Sequence, residues 1–361
     1  MNIAYFISSH GFGHASRSSA IISALTDRFP DIHFEIFTGT PEWLFKDAGI
    51  TNYTYHPGAV DVGMVQKSPM EHDLPGTLEA VDGYLRSVPD RAAKLEEELK
   101  TADCLAAICD ISPLGIAAGK AAGIPVFLFE NFTWDWIYEP YIPECPDFQR
   151  INDQLGEIFS QADYRMQSEP LCDPSEDADI LIPPVSRKPR HTEAEFRASL
   201  GIPDSHRIGL ISMGGIPENL DFAVGSHIPD NLTLLLPGTF EKTEKSGNKI
   251  LLPHHSGFYH PDMVHAADFL IGKAGYSTIA EVCAAGAAYG FISRENFRES
   301  GVTSDFLRRR PNTLEVARQR FESFTLDEEI SQLLAMGKTK PQPVNGSDIA
   351  AEFILQKLRA A

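Results

Sequence analysis

The stretch IAYFISSHGFGHASRSS, residues 3–19, decides the fold. The apolar run Ile3 to Ile7 has the length of a buried strand, and it stops at Ser8. His10, Gly11, Gly13 and His14 follow at once, and a helix of small residues then opens with Arg17 near its start. A strand that passes through glycines directly into a helix is the first half of a βα unit. Gly11 and Gly13 omit side chains where the backbone must turn and approach a neighbour closely. His14 falls at or just before the helix start. The free N–H groups there suit an anionic ligand, and the position favours a neutral ring able to accept a proton. HGFGHAS lacks the third glycine of the dinucleotide fingerprint, and GK[ST] is absent, so neither that site nor a P-loop is expected. A tight turn capped by histidines is the alternative reading of the loop.

The same alternation continues outward. IAYFIS (3–8), HFEIFTG (33–39), CLAAICD (104–110) and PVFLFEN (125–131) read as strands, with helical patterns at 15–28, 77–101 and 112–122. The pattern implies a parallel sheet covered by helices, whose ligands bind at the carboxyl ends of the strands. Residues 169–190 interrupt it with five prolines (170, 174, 183, 184 and 189) and an acidic cluster before a basic one. They read as an interdomain linker with room for one short strand. Strands then resume at 207–215, 231–238, 249–254, 268–275 and 287–294, with helices at 261–267, 278–286, 327–336 and 347–359. The expected organisation is a domain over 1–168, a linker over 169–190, a second domain over 191–345 and a final helical segment over 346–361. Two such α/β domains imply a cleft with strand ends facing inward.

Composition limits the partners. The chain has 361 residues, enough for two cores. A formal charge of -19 argues against nucleic acid, which needs a basic face. Five cysteines at irregular spacing fit neither a zinc ribbon nor a disulfide framework. The start has no signal-peptide pattern and no apolar run reaches membrane-span length. A cytoplasmic protein without an integral membrane segment is expected; its oligomeric state is not legible.

A second focus is DFLIGKAGYSTIAEVCAAG (268–286). A strand runs to Lys273, then Gly275, Tyr276, Ser277 and Thr278 lead into a helix. Glycine, hydroxyls, free N–H groups and an ammonium together form a diphosphate cradle. Glu281, one turn on, is placed to accept from two ribose hydroxyls, or Thr278 and Glu281 form a capping box. Gly214 and Gly215, after the strand at 207–215, offer further N–H donors to phosphates. Asp110 ends a strand and either caps the next helix, a role Ser112 also suits by type, or orients a pocket group. ENFTWDWIYEPY (130–141) concentrates aromatics with Glu130, Asn131 and Asp135, as a core or as the wall of a site for a polar small molecule. Arg294 and Glu299 lie on a loop after a strand. His254, His255 and His260 form a turn suited to a base or ribose rather than to a metal.

As a set, SSHGFGHASR, CDISP, ENFTWDWIYEPY and GKAGYSTIAEVCAAG with ISRENFRES resemble the glycosyltransferase-like N-terminal region of L-arabinokinases and related predicted bacterial glycosyltransferases. The second-domain motif is also similar to the superfamily of the lipid-linked N-acetylglucosamine transferase of peptidoglycan synthesis. The resemblance spans roughly residues 3–310. It implies the α/β GT-B architecture of two Rossmann-like domains, with the donor on the C-terminal domain and the acceptor against the N-terminal one. By that similarity Gly275 to Thr278 face the diphosphate, Glu281 the ribose, and His14 the sugar, as base with Asp110. Gly11, Gly13, Arg17, Glu130, Asn131 and Asp135 are then substrate-binding. Gly214, Gly215, His260, Lys273, Tyr276, Arg294 and Glu299 complete the donor set. No metal or other cofactor is implied, and the final helix is expected to return to the first domain. No sugar-kinase phosphate loop is present, so that activity does not carry over. The function expected is transfer from a nucleotide-diphosphate sugar, UDP-linked by default, to an unknown small-molecule or glycan hydroxyl, with inversion. The alternatives are a UDP-sugar 2-epimerase-like enzyme and a non-catalytic nucleotide-sugar-binding regulator.

Overall fold

The computed structural model describes residues 1–68, 71–214, 220–253, 256–293 and 297–360. The chain divides into two compact units, residues 1–185 with 346–361, and residues 186–345.

The first unit is built on a seven-stranded sheet. Its main elements are β1 (Asn2–Ile7), α1 (Phe12–Arg28), β2 (His33–Thr38), β3 (Tyr53–Pro57), α2 (Leu74–Thr101) and β4 (Cys104–Asp110). They continue with α3 (Pro113–Ala122), β5 (Val126–Glu130), α4 (Trp134–Tyr138), α5 (Phe148–Phe159), β6 (Tyr164–Ser168) and β7 (Ile180–Ile182). The strand order is β3-β2-β1-β4-β5-β6-β7, and all neighbours are parallel. The order reverses between β1 and β4, which pair Ile7 with Asp110 at their carboxyl ends. A crevice at such a reversal is where doubly wound sheets bind ligands. Ile3, Tyr5 and Ile7 of β1 pack with Ala15, Ile21, Ile22 and Leu25 of α1 in one core. The small residues of α1 let it lie close on the sheet, and its residues from His14 to Ile22 are buried.

The C-terminal helix, Gly346–Ala360, belongs to this unit and packs its Ala350, Ala351, Ile354 and Leu355 into the same core. Arg28 at the end of α1 pairs with Asp348 at 3.1 Å. Residues 169–185 fall within the first unit and contain the one short strand expected in this segment. They carry β7, which closes the sheet edge through pairs such as Met166 with Ile180. Cys172 N–H also donates to the Asn131 carbonyl. The prolines stop helix formation but leave the N–H groups that this edge needs.

The second unit contains α6 (Glu193–Leu200), β8 (Arg207–Ser212), β9 (Leu232–Ser246), β10 (Lys249–Pro253), α7 (His260–Ala266), β11 (Phe269–Lys273) and α8 (Tyr276–Ala285). It ends with β12 (Ala288–Ile292), α9 (Arg298–Arg308), β13 (Thr313–Glu315) and α10 (Asp327–Met336). The six strands run β10-β9-β8-β11-β12-β13, so the reversal here lies between β8 and β11. Separate apolar clusters cover the sheet, one with Leu210, Leu235, Leu270 and Phe291, the other with Ile211, Leu234, Phe269 and Ile271. Alternate residues of each strand thus serve opposite faces. Among the described residues no helix is long and apolar enough to cross a membrane.

Candidate functional site

In the first unit, α1 begins where β1 has just ended. Gly11 is its N-cap at φ 83°, a left-handed conformation natural to glycine. A Cβ at Gly11 or Gly13 would meet nothing within 4 Å, so the space over the loop is open. His14, Arg17 and Ser18 stand at i, i+3 and i+4 on one face of α1, and all three reach Asp110 at the end of β4. His14 Nδ1 lies 2.8 Å from Oδ1. Arg17 donates from Nη2 to Oδ1 at 2.6 Å and from Nε to Oδ2 at 2.8 Å. The Ser18 hydroxyl donates to Oδ2 at 3.0 Å. Asp110 is 0% and Arg17 1% exposed. Burial pushes the Asp110 carboxyl up, but Arg17, then His14, outweigh it and hold the pKa at about 2. Asp110 is not a helix cap: Ser112 fills that role for α3, accepting from Gly115 N–H. Ile111 between them takes φ 49°, unusual for a branched residue.

Several expected substrate contacts turn inward instead. Arg17 is spent on Asp110 and on Asn131 Oδ1, to which Nη1 donates at 2.5 Å. Asn131 is itself buried and receives that bond. Glu130 is buried, and it accepts from Arg165 Nε at 2.5 Å and Gln167 at 3.1 Å. It ties β5 to β6. Asp135 lies in the first turn of α4 with Gly156 of α5 beside it, and burial pushes its pKa up. The polar groups of Arg17, Asn131 and Glu130 are thus taken up by protein partners, as buried polar groups require, whereas Asp135 Oδ1 is buried without a hydrogen-bond partner.

Sequence reasoning missed Asp61. It is 4% exposed and accepts from the Trp134 indole N–H at 2.8 Å and from Ser8. Burial raises its pKa, and the field of Asp110 adds to the rise. Tyr84 and Ser112 bind the Val60 carbonyl, and Tyr138 binds that of Val62, so this loop is held at both sides of Asp61. The apolar residues around it in GAVDVGMV (58–65) were the available signal of burial, but nothing in that stretch names its partners Ser8 and Trp134.

In the second unit, the carboxyl ends of β8 and β11 carry the corresponding groups. β8 ends at Ser212, and Gly214 follows at φ 87°. β11 ends at Lys273, and Gly275 is the N-cap of α8, whose first residues are Tyr276, Ser277 and Thr278. Among the described residues, α8 has no side-chain cap hydrogen bond, so Thr278 and Glu281 form no capping box. Glu281 is buried and faces two other partners. His260 Nδ1 lies 2.6 Å from Oε2, and Arg187 donates to Oε1 from Nε at 3.1 Å and Nη2 at 2.9 Å. Burial pushes the Glu281 carboxyl up, whereas Arg187 and His260 pull it down to about 2. His260 Nε2 is 3.0 Å from Ser212 Oγ, linking this carboxylate to the end of β8. Arg187 also lies over the Tyr259 ring. Arg187 sits in the expected linker, where the basic run SRKPR (186–190) is its only sequence signal. Glu299 lies in the first turn of α9, half-buried. Gly215 and Arg294, with His254 and His255, fall outside the described residues. Among the described residues, no group of three or more His, Cys, Asp or Glu side chains is placed to hold a metal.

Two Rossmann-like units, each with a parallel sheet whose strand order reverses at the chemically dense end, define the GT-B fold. The relatives are consistent with that class. The chain is similar to L-arabinokinase of Arabidopsis thaliana, 26% identical over 358 residues, covering 97% of this chain and 34% of that protein. It therefore spans about a third of the length of that relative. Among solved structures it resembles Acinetobacter baumannii MurG, with TM-score 0.57 and 15% identity over 98% of this chain and 99% of that one. It also resembles the glycotransferase of kitacinnamycin, with TM-score 0.62 and 14% identity over 99% and 98%. Phytolacca americana UGT2, solved with UDP-2-fluoro-glucose and pterostilbene, matches with TM-score 0.61 and 12% identity over 99% of both chains. No family model matches the chain.

Proposed function

We propose that the protein is a glycosyltransferase that moves a sugar from a nucleotide-diphosphate donor, UDP-linked by default, to an acceptor hydroxyl. The carrying observation is His14, fixed through Nδ1 by a buried, ionised Asp110 at the strand-order reversal of a GT-B unit. A ring held in this way has Nε2 left to take a proton. In the proposed reaction Nε2 accepts the acceptor's hydroxyl proton as the oxygen bonds to the anomeric carbon. The bond from that carbon to the diphosphate breaks, and the nucleotide diphosphate leaves. Lys273 and the N–H groups at the start of α8 hold its negative charge, and Glu281 accepts from the ribose. A single displacement inverts the anomeric centre. The leaving charge is met by protein donors, so the reaction is proposed to need no metal.

The test is calorimetric titration with UDP, GDP, ADP and dTDP, followed by transfer assays with sugar conjugates of the diphosphate that binds. Selective binding by one diphosphate and acceptor-dependent release of it support the proposal. No binding by any of them refutes the donor assignment. Release of nucleotide with no acceptor requirement replaces transfer by an epimerase-like or hydrolytic reaction, and tight binding without turnover replaces it by sensing.

A further inference from the structure

Arg17 is a buried cation in a place where the reaction has no evident use for one. We propose that Arg17 is a positioning residue that locks His14 in the Nδ1–H tautomer, by keeping Asp110 a pure acceptor. The inference rests on the reading of His14 as the proton acceptor, and it assigns what makes that reading chemically possible.

The argument is a count of donors and lone pairs. An ionised carboxylate offers about four acceptor positions and no donor. Oδ1 of Asp110 receives Arg17 Nη2 at 2.6 Å and faces His14 Nδ1 at 2.8 Å. Oδ2 receives Arg17 Nε at 2.8 Å and Ser18 Oγ at 3.0 Å. Every position is filled. Arg17 Nη2 and His14 Nδ1 are 3.1 Å apart because both converge on one oxygen. With Oδ1 unable to donate, the contact to His14 exists only if Nδ1 carries the proton. Nε2 is then bare.

The opposite arrangement is the failure that Arg17 prevents. A carboxyl with no exposure is driven toward its protonated form when no cation lies beside it. A protonated Asp110 can donate to Nδ1, and the ring then carries its proton on Nε2. That tautomer has no lone pair facing an acceptor hydroxyl. Arg17 is itself well held. Nη1 donates to Asn131, the guanidinium lies 5.1 Å over the Phe129 ring, and the residue is one turn from His14 on the same helix. Its planar fork grips both carboxylate oxygens, which a lysine cannot do.

The test uses the full chain, labelled with 15N at histidine, without any nucleotide. Two-bond proton–nitrogen spectra at pH 8 distinguish a protonated ring nitrogen from a bare one. The His14 signals are assigned by their loss in His14→Gln. The wild-type protein should show Nδ1 protonated and Nε2 bare. Arg17→Met, with native circular dichroism and tryptophan emission, should move His14 to the Nε2–H form or to a mixture. Arg17→Lys keeps a cation beside Asp110 and should keep the wild-type tautomer. An Nε2–H tautomer in the wild type or in Arg17→Lys overturns the proposal, as does a folded Arg17→Met with the wild-type tautomer. If Arg17→Met does not fold, the other two spectra still decide. Because no turnover is read, a chain that binds no nucleotide yet shows the Arg17-dependent tautomer keeps this inference and loses only the transferase reading.

Discussion

Replacing Asp110 by Asn tests the centre of the first unit. The substitution keeps the shape and removes the charge that Arg17, His14 and Ser18 share. Two routes give its size. The Asp110 pKa falls from 3.8 to about 2 on folding, and at 1.36 kcal/mol per unit this is worth roughly 2 kcal/mol. Breaking a buried ion pair so that one charge is stranded costs about 3–5 kcal/mol. The first figure is already net of the desolvation of Asp110; the second includes the stranding of Arg17. We therefore expect a loss of about 2–5 kcal/mol at pH 7. The sign with pH follows from linkage. A carboxyl with a depressed folded pKa stabilises the fold above its unfolded pKa, and that stability is lost as pH falls through the folded value. The gap between wild type and Asp110→Asn should thus narrow from about pH 5 down to about pH 2. The assay is urea unfolding followed by tryptophan fluorescence. All three tryptophans, Trp43, Trp134 and Trp136, belong to the first unit, so the signal reports on that unit alone. A variant as stable as wild type at pH 7, with the same urea slope, refutes the account of the cluster. So does a gap that does not change with pH.

Three further outcomes are expected. His14→Ala should lower transfer by about 10²–10⁴-fold, the usual weight of a general base, and leave the calorimetric affinity for the nucleotide diphosphate within a few-fold; near-normal turnover removes His14 as base. Glu281→Gln should weaken nucleotide binding by roughly 10–100-fold, the loss of a hydrogen bond to a charged acceptor; an unchanged affinity in folded protein assigns Glu281 solely to holding Arg187 and His260. Gly11→Ala places a Cβ at φ 83°, costs about 1–2 kcal/mol, and should be read in the same fluorescence unfolding; a neutral effect shows that the loop relaxes.

Much of this molecule was written locally. The apolar run Ile3 to Ile7, the glycines after it and the small-residue pattern through Ser19 specify a strand, a turn and a helix without help from distant residues, and β1 and α1 form there. The same holds for the strand into Lys273 and the helix from Tyr276, because period and turn chemistry act over a few residues. They also place Asp110 and Lys273 at strand ends, where a parallel sheet presents its ligands, and His14 and Glu281 in the helices that follow such ends. What the tertiary structure decided is which neighbour each polar group found. Arg17 looked available to a substrate, yet Asp110 arrives from 93 residues away and takes it, since a buried carboxylate needs a cation. Glu281 looked like half of a capping box, yet Arg187 from the supposed linker and His260 from another helix claim both its oxygens. Residues 169–185 looked like a connector, yet the open edge of β6 offered them a ladder of hydrogen bonds. Periodicity is a property of the chain's own geometry, whereas the partner of a charge depends on the strand order, which brings residues a hundred positions apart within 3 Å.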